Sequence, residues 1–272
     1  MLTPYIWYQF ETITSTQVKN YESGGTALDA TLHNGAGVMK SDSPIGSVCL
    51  NLMNTPIKQS SDATGQYLSF PSFKVSGVAF SCSCWFKKSN TNETWSRIFD
   101  FSVTPNGGKT ISLAFSGNTG QIVLDRNDTF YKGICGVNST NYCDNKWHHI
   151  VIVGNGSSLS FYIDNVKLNT MQYKMLEPAE RITNSIGRSS YTSDAYASIQ
   201  IDDFRWYTLP LNDVDVTALF NYKKTETITQ KVQYFVSDKS WYMIISGSFA
   251  IIMIIVVLVW YFIIKKRNNY YY

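Results

Sequence analysis

Residues 241–264 form a run without one charged side chain, and Lys265, Lys266 and Arg267 follow it directly. About 20 such residues span a hydrocarbon core as a helix, and a buried soluble helix rarely runs that far uncharged. Trp241 and Tyr242 open the run and Trp260 and Tyr261 lie near its end, as aromatic belts do at the two membrane interfaces. The sequence therefore divides into a folded part at 1–222, a polar linker at 223–240, a transmembrane helix at 241–264 and a basic, Tyr-rich tail at 265–272. The basic triplet reads as a headgroup anchor, so a lipid bilayer is the first expected partner.

The chain has 23 Lys+Arg against 20 Asp+Glu, and the triplet after the run is the whole excess. Residues 1–240 are neutral, with 20 basic against 20 acidic side chains, and lack the clustered basic surface that nucleic acid requires, so no nucleic-acid partner is expected. The N-terminal MLTPYIWYQFET has neither a basic segment nor a continuous apolar one, so no cleaved signal peptide is expected. An anchor this close to the C-terminus is similar to a tail anchor, whose globular part faces the cytosol. The basic flank argues for the opposite side; the missing signal carries more weight, and a cytosol-facing domain is the expectation.

Five cysteines are present, Cys49, Cys82, Cys84, Cys135 and Cys143. Cys82 and Cys84 lie two apart in a strand-like run and share a face. Cys135 and Cys143 either close a small loop or stay free, and an odd count leaves at least one thiol unpaired. No Cys/His spacing suits zinc. Asn92, Asn127, Asn138 and Asn155 begin N-x-S/T sequons in polar, turn-like stretches, which matter as glycan acceptors only if the domain faces a lumen.

Helical periodicity is nearly absent before the apolar run. Short alternating segments predict strands at 6–10, 79–87, 96–102, 110–115, 121–124, 148–153, 159–163 and 198–207, separated by Gly-, Asn- and Ser-rich turns. One short helix is predicted at 212–220, capped by Asn212, with Asp213 and Asp215 early and Val216, Leu219 and Phe220 on one face. Trp147 and Tyr162 are placed to fill the space between two sheets. Asp202 and Asp203, adjacent in a strand, are expected to point to opposite faces.

The fragments Lys146-Trp147-His148-His149-Ile150-Val151 and Leu159-Ser160-Phe161-Tyr162-Ile163-Asp164-Asn165 resemble a hairpin of laminin-G-like jelly rolls, which belong to the concanavalin A-like lectin/glucanase superfamily. Phe80–Phe86, Arg97-Ile98-Phe99-Asp100-Phe101, Ser185-Ile186-Gly187-Arg188 and Ile201-Asp202-Asp203-Phe204-Arg205-Trp206-Tyr207 are similar to further strands of that family, in the same order. Asn165 stands where that family has Gly, and Asn tolerates the left-handed turn. The resemblance implies an all-β, antiparallel jelly-roll sandwich. With the C-terminal transmembrane helix, that is the expected fold.

Catalysis is not expected. The six Glu include no E-x-D-x-E arrangement of the kind glucanase relatives carry, and Asp125 and Asp128 read as one loop face rather than a retaining pair. His148 and His149, as strand neighbours, point to opposite faces and cannot share a site. No serine-hydrolase, metalloprotease, P-loop or dinucleotide fingerprint is present. The resemblance implies calcium as a candidate cofactor, with Asp125, Asn127, Asp128 and Asp194 as oxygen donors on loops. Aromatic pairs beside polar loops, Phe130 with Tyr131 and Tyr191 with Tyr196, are the candidates to stack on a sugar or anchor a protein. The expected function is a non-catalytic, membrane-anchored adhesion or scaffold protein with a protein partner. Asn-, Ile-, Lys- and Tyr-rich usage points to a large DNA virus, where it would link the inner membrane to the capsid. The competing expectation is a calcium-dependent surface lectin that binds glycans.

Overall fold

The computed structural model describes residues 2–11, 13–22, 24–46, 48–54, 56–75, 79–128, 130, 132–172 and 176–223. The anchor residues Trp241, Tyr242, Trp260, Tyr261, Lys265, Lys266 and Arg267 lie outside them, as does nearly all of the predicted linker. Among the described residues, no helix is long and apolar enough to cross a membrane.

The strands, in chain order, are β1 (Ile6–Tyr8), β2 (Ile13–Thr14), β3 (Gln17–Val18), β4 (Ala30–His33), β5 (Gly37–Lys40), β6 (Val48–Leu52), β7 (Tyr67–Phe70), β8 (Phe73–Val75), β9 (Phe80–Lys87), β10 (Arg97–Ser102), β11 (Thr110–Phe115), β12 (Ile122–Asn127), β13 (Lys132–Gly136), β14 (Trp147–Gly154), β15 (Ser158–Ile163), β16 (Val166–Gln172), β17 (Ala179–Arg181), β18 (Thr183–Ile186) and β19 (Ile199–Tyr207); α1 is Asp213–Phe220. An eight-stranded sheet runs β16-β15-β14-β9-β19-β6-β5, with β1 paired to β19. A nine-stranded sheet runs β13-β12-β11-β10-β18-β7-β4-β3-β2, and β17 pairs with β8. Every strand pair is antiparallel, as the alternation predicts for a sandwich.

Alternation decides which side chains meet between the sheets. In β9, Phe80, Cys82, Cys84 and Phe86 enter the shared core, and so do Ile150 and Ile152 of β14 and Phe161 and Ile163 of β15. The intervening Val151, Val153 and Tyr162 face outward, where Leu211 and α1 residues Val216 and Leu219 cover them. Tyr162 therefore packs beneath the helix, not between the sheets, and its hydroxyl donates to Asp213 at 2.5 Å. Trp147 is likewise outside the core; its indole N–H bonds Asp42 at the surface. The helix forms as the sequence indicates: the Asn212 side chain accepts from Asp215 N–H, and Asp215 reaches back to the Asn212 N–H in a capping box.

The Asp202-Asp203 pair departs from simple alternation. The register shifts between Asp202 and Arg205, so Ile201 and Phe204, three apart, both enter the core. Asp203 takes φ +54° at this bulge and accepts from Arg205 at 3.0 Å and from the Trp7 indole at 2.6 Å. The bulge, not opposite faces, accounts for two consecutive acids here. Among the described residues no two cysteines are joined in a disulfide, so Cys135 and Cys143 do not close a loop.

Candidate functional site

The helix, with Phe220 stacked on Trp85 at 5.5 Å, covers part of the outer face of the eight-stranded sheet. The outer face of the nine-stranded sheet carries polar side chains instead. Residues directly opposed in antiparallel strands share a face, and the register sets Thr31 opposite Ser69, Ser69 opposite Ser185, Ser185 opposite Asp100, Asp100 opposite Ser112, Ser112 opposite Asp125 and Asp125 opposite Ile134. One transverse row of short polar side chains thus crosses six strands, centred on Asp100, and ends on Ile134 of edge strand β13.

The segment 187–196 lies across this row as a strap. Its Ser190 bonds Asp100, its Ser189 N–H bonds the Ser60 hydroxyl at 3.2 Å, and Asn106 N–H holds the Ser190 carbonyl at 2.8 Å. Beside the strap, Arg97 is 2 % exposed and gathers three carboxylates: Asp194 at 2.9 Å, Asp125 at 3.3 Å and Asp100 at 3.5 Å. A register shift between Arg97 and Phe99 brings Arg97 and Asp100 to the same face. Arg97 also donates to the Trp95 carbonyl at 3.0 Å and lies 5.8 Å from the Tyr191 ring centre. Burial pushes the Asp100 carboxyl up to about 6 against the pull of Arg97, and it raises Asp125 and Asp194 in the same way.

Trp95, Arg97, Asp125, Ile134, Tyr191, Ser193 and Asp194 enclose a cleft of about 200 Å³. Trp95 sits at φ +55°, a costly conformation for an aromatic residue. Its N–H on the Gly117 carbonyl and its own carbonyl on Arg97 hold it there. Tyr191 is fixed by its hydroxyl, which accepts from the Asn127 amide at 3.2 Å. Aromatic surface, two carboxylate acceptors and a guanidinium meet in one concavity, which suits a polyhydroxylated ligand with one apolar ring face. On the other flank of the strap, a larger groove of about 340 Å³ is floored by Ser69 and Ser185 and walled by Tyr67 and Arg188.

Of the residues singled out in the sequence, Tyr191, Asp125, Asn127 and Asp194 come together here. Asp128 does not: it is buried on Arg126 at 2.7 Å and accepts the Phe130 N–H at 2.8 Å. Tyr196 is buried rather than exposed, with its hydroxyl donating to the Asp62 carbonyl at 2.9 Å. Phe130 is 43 % exposed on the turn after β12, and Tyr131 lies outside the described residues. The expected calcium set is not assembled, because Asp125 and Asp194 converge on a guanidinium and the Asn127 side chain donates to the Gly107 carbonyl. Among the described residues, no group of three or more His, Cys, Asp or Glu is arranged to hold a metal. Asp125 and Asn127 belong to β12, not to a loop, so the Asn127 sequon is not in a turn, and a glycan there would displace its bond to Tyr191. Asn92 and Asn155 are exposed, and Asn138 donates to the Tyr142 hydroxyl. His148 bonds Asp164 and Asp144, while His149 packs on Trp85, so the two histidines share no site.

Sequence reasoning missed Trp95, Arg97, Asp100 and Arg188 as site residues. The available signal was two charges, Arg97 and Asp100, interleaved with Ile98, Phe99 and Phe101 in one strand.

Residues 62–217 match the family model of the concanavalin A-like lectin/glucanases superfamily. No curated protein matches the chain in sequence. Among solved structures, domain 4 of a GH43 extracellular arabinanase from Geobacillus stearothermophilus, in complex with arabinotriose, is similar at 18 % identity and TM-score 0.61, over 80 % of this chain and 98 % of that one. The binding domain of Paraclostridial Mosquitocidal Protein 1 is similar at 16 % identity and TM-score 0.57, over 80 % of this chain and 52 % of that one. A structure of botulinum neurotoxin type C, which depends on interaction with two ganglioside molecules to get into cells, is similar at 17 % identity and TM-score 0.58, over 80 % and 51 %. The chain spans about half the length of the toxin binding domains it matches. At these identities the likeness is one of fold.

Proposed function

Because this chain belongs to the concanavalin A-like lectin/glucanases superfamily, we propose that it is a non-catalytic, glycan-binding surface protein whose sugar site is the cleft between Trp95 and Tyr191. The observation that carries this reading is the convergence of those two residues with Asp125 and Asp194 around Arg97. Tyr191 or Trp95 stacks on a sugar ring, the carboxylates accept from its hydroxyls, and Arg97 keeps both carboxylates in place. Two carboxylates shared by one guanidinium act as acceptors, not as a proton donor paired with a free nucleophile. The solved arabinotriose complex and the ganglioside dependence of a toxin with the same fold support a sugar ligand. A glycan array on the intact chain tests this. Binding that survives a chelator and falls at least tenfold in Tyr191→Ala is expected; an array without hits, or unchanged binding by the folded variant, overturns it.

The apolar run at 241–264 supports attachment of this domain to a membrane. A linking role between membrane and protein shell is the second reading. It is favoured by Ile134, 50 % exposed on edge strand β13, and Val166, 58 % exposed on edge strand β16, since open edges accept a partner strand. Co-purification with shell proteins after detergent extraction supports that reading, and release with lipid alone excludes it.

A further inference from the structure

The groove on the far flank of the strap has a different chemistry from the cleft. Its floor is hydroxylic: Ser69 bonds His33 Nε2 at 2.6 Å, and the Ser185 hydroxyl donates to the Arg188 carbonyl at 2.8 Å. Its wall is a stack. His33 lies on Tyr67 with ring centres 4.3 Å apart and an interplanar angle of 5°, and the Arg188 guanidinium lies 4.9 Å from the Tyr67 centre and 5.8 Å from that of Tyr196. The rings fix the guanidinium and cost it little mobility on binding.

Arg188 differs from Arg97, Arg126 and Arg205, each of which has an aspartate partner. Among the described residues no carboxylate pairs with Arg188, and one hydrogen bond, to the Ser60 carbonyl at 3.1 Å, engages its five N–H donors. The groove therefore holds a permanent positive charge with unused donors in a concavity, which draws an anion. The neighbouring His33 is held below its ordinary value by burial and by the Arg188 charge, so at neutral pH it stays uncharged and offers hydrogen bonds alone.

We propose that this groove is a second sugar subsite, which takes an oxyanion-bearing residue, a carboxylated or sulfated sugar, with the anion on Arg188 and the sugar hydroxyls over Ser69 and Ser185. The proposal rests on the glycan-binding reading of the domain, and it adds that the preferred ligand is acidic. About 340 Å³ accommodates one sugar residue with its charged substituent.

The test uses the full chain in detergent and three matched probes: lactose, 3′-sialyllactose and 3′-sulfated lactose, titrated calorimetrically. At least one acidic probe is expected to bind ten times more tightly than lactose, and the tighter of the two names the anion. Arg188→Ala should erase the preference, with Arg188→Lys retaining part of it. Equal binding of all three probes, or an intact preference in folded Arg188→Ala, overturns the proposal. Thr192→Trp, which fills the groove from the exposed strap, decides the question if Arg188→Ala does not fold: an unchanged preference overturns the proposal, and a lost one supports it. Tyr191→Ala separates the two readings. If it leaves lactose binding unchanged while Arg188→Ala erases the acidic preference, the cleft fails as a site and the groove stands.

Discussion

Ser190 donates twice to one oxygen of Asp100, from its backbone N–H and from its hydroxyl, each at 3.1 Å. This bifurcated contact fastens the strap to the middle of the nine-stranded sheet. The two concavities lie on either side of it, so the strap's position sets the shape of both.

The Asp100 carboxyl, raised by burial to about 6, makes this fastening pH-dependent. The folded state holds its proton more tightly than the unfolded one, so Asp100 contributes stability that is full below pH 4 and is lost as pH rises through about 6, at about 1.4 kcal/mol per pH unit. Asp125 and Asp194, raised in the same direction, add to the trend. Asp100→Asn keeps an acceptor for Ser190 and removes the titration. Its melting temperature should fall less than that of the wild type between pH 4 and 6, and parallel curves would refute the assignment.

His149 acts with the opposite sign. Burial holds its imidazole down at about 3, so its neutral form is built into the fold against Trp85 and Phe220. The stability it contributes is present above about pH 6.5 and lost as pH falls towards 3, again at about 1.4 kcal/mol per unit. His149→Phe should therefore resist acid unfolding better than the wild type below pH 5, even if it is less stable at pH 7. Urea midpoints at the two pH values measure both effects, and equal acid sensitivity of the two proteins would count against the account.

Gly107 reaches the site without touching the cleft. It takes φ +85°, and a Cβ there would stand 2.1 Å from the Tyr191 ring. Gly107→Ala should cost about 1 kcal/mol in backbone strain and also push the ring off its Asn127 contact. Sugar affinity is expected to drop several-fold, while Gly25→Ala, with φ +64° and open space around it, pays the strain alone and keeps affinity. Equal affinities in the two variants would show that the Tyr191 ring position is unimportant.

The thiols predict a labelling order. Cys49, Cys82, Cys84 and Cys143 are buried and Cys135 is partly exposed. Burial raises the Cys143 thiol to about 11 and the Cys82 and Cys84 thiols well above their usual range, which keeps them unreactive. Iodoacetamide under native conditions should modify Cys135 first, with the rest following only on unfolding. A reductant should leave the melting temperature unchanged, and a drop of several degrees would reveal a disulfide.

Much of the fold was legible because its signals are local. Thr110–Phe115 was bounded to the residue, and the capping role of Asn212 followed from residues within one turn. What was not legible depends on pairing between distant segments. The strand at 121–124 continues to Asn127 because β11 offers partners as far as Thr110, which turned Asp125 and Asn127 from loop ligands into rungs of a sheet. Tyr196 looked exposed in a Ser/Asp-rich loop, yet that loop folds back so that its ring packs on Gly65. Tyr162 kept its aromatic character in either reading; only the helix crossing the sheet decided which side of β15 was covered. Arg97 and Asp100 shared a motif in the sequence, but their common face arises from an irregular register that no spacing rule reveals.

The transverse row that underlies both concavities takes one residue from each of six strands, from Thr31 to Ser185, through Ser69, Asp100, Ser112 and Asp125. No stretch of neighbouring residues contains a working fraction of it. β18 enters between β7 and β10 late in the chain, so a nascent or clipped polypeptide ending before residue 183 lacks the Ser185 rung beside Asp100 and the strap together. Binding at the two proposed sites should thus appear all at once, when the last strands are inserted, and would serve as a readout of complete folding that secondary-structure content cannot provide.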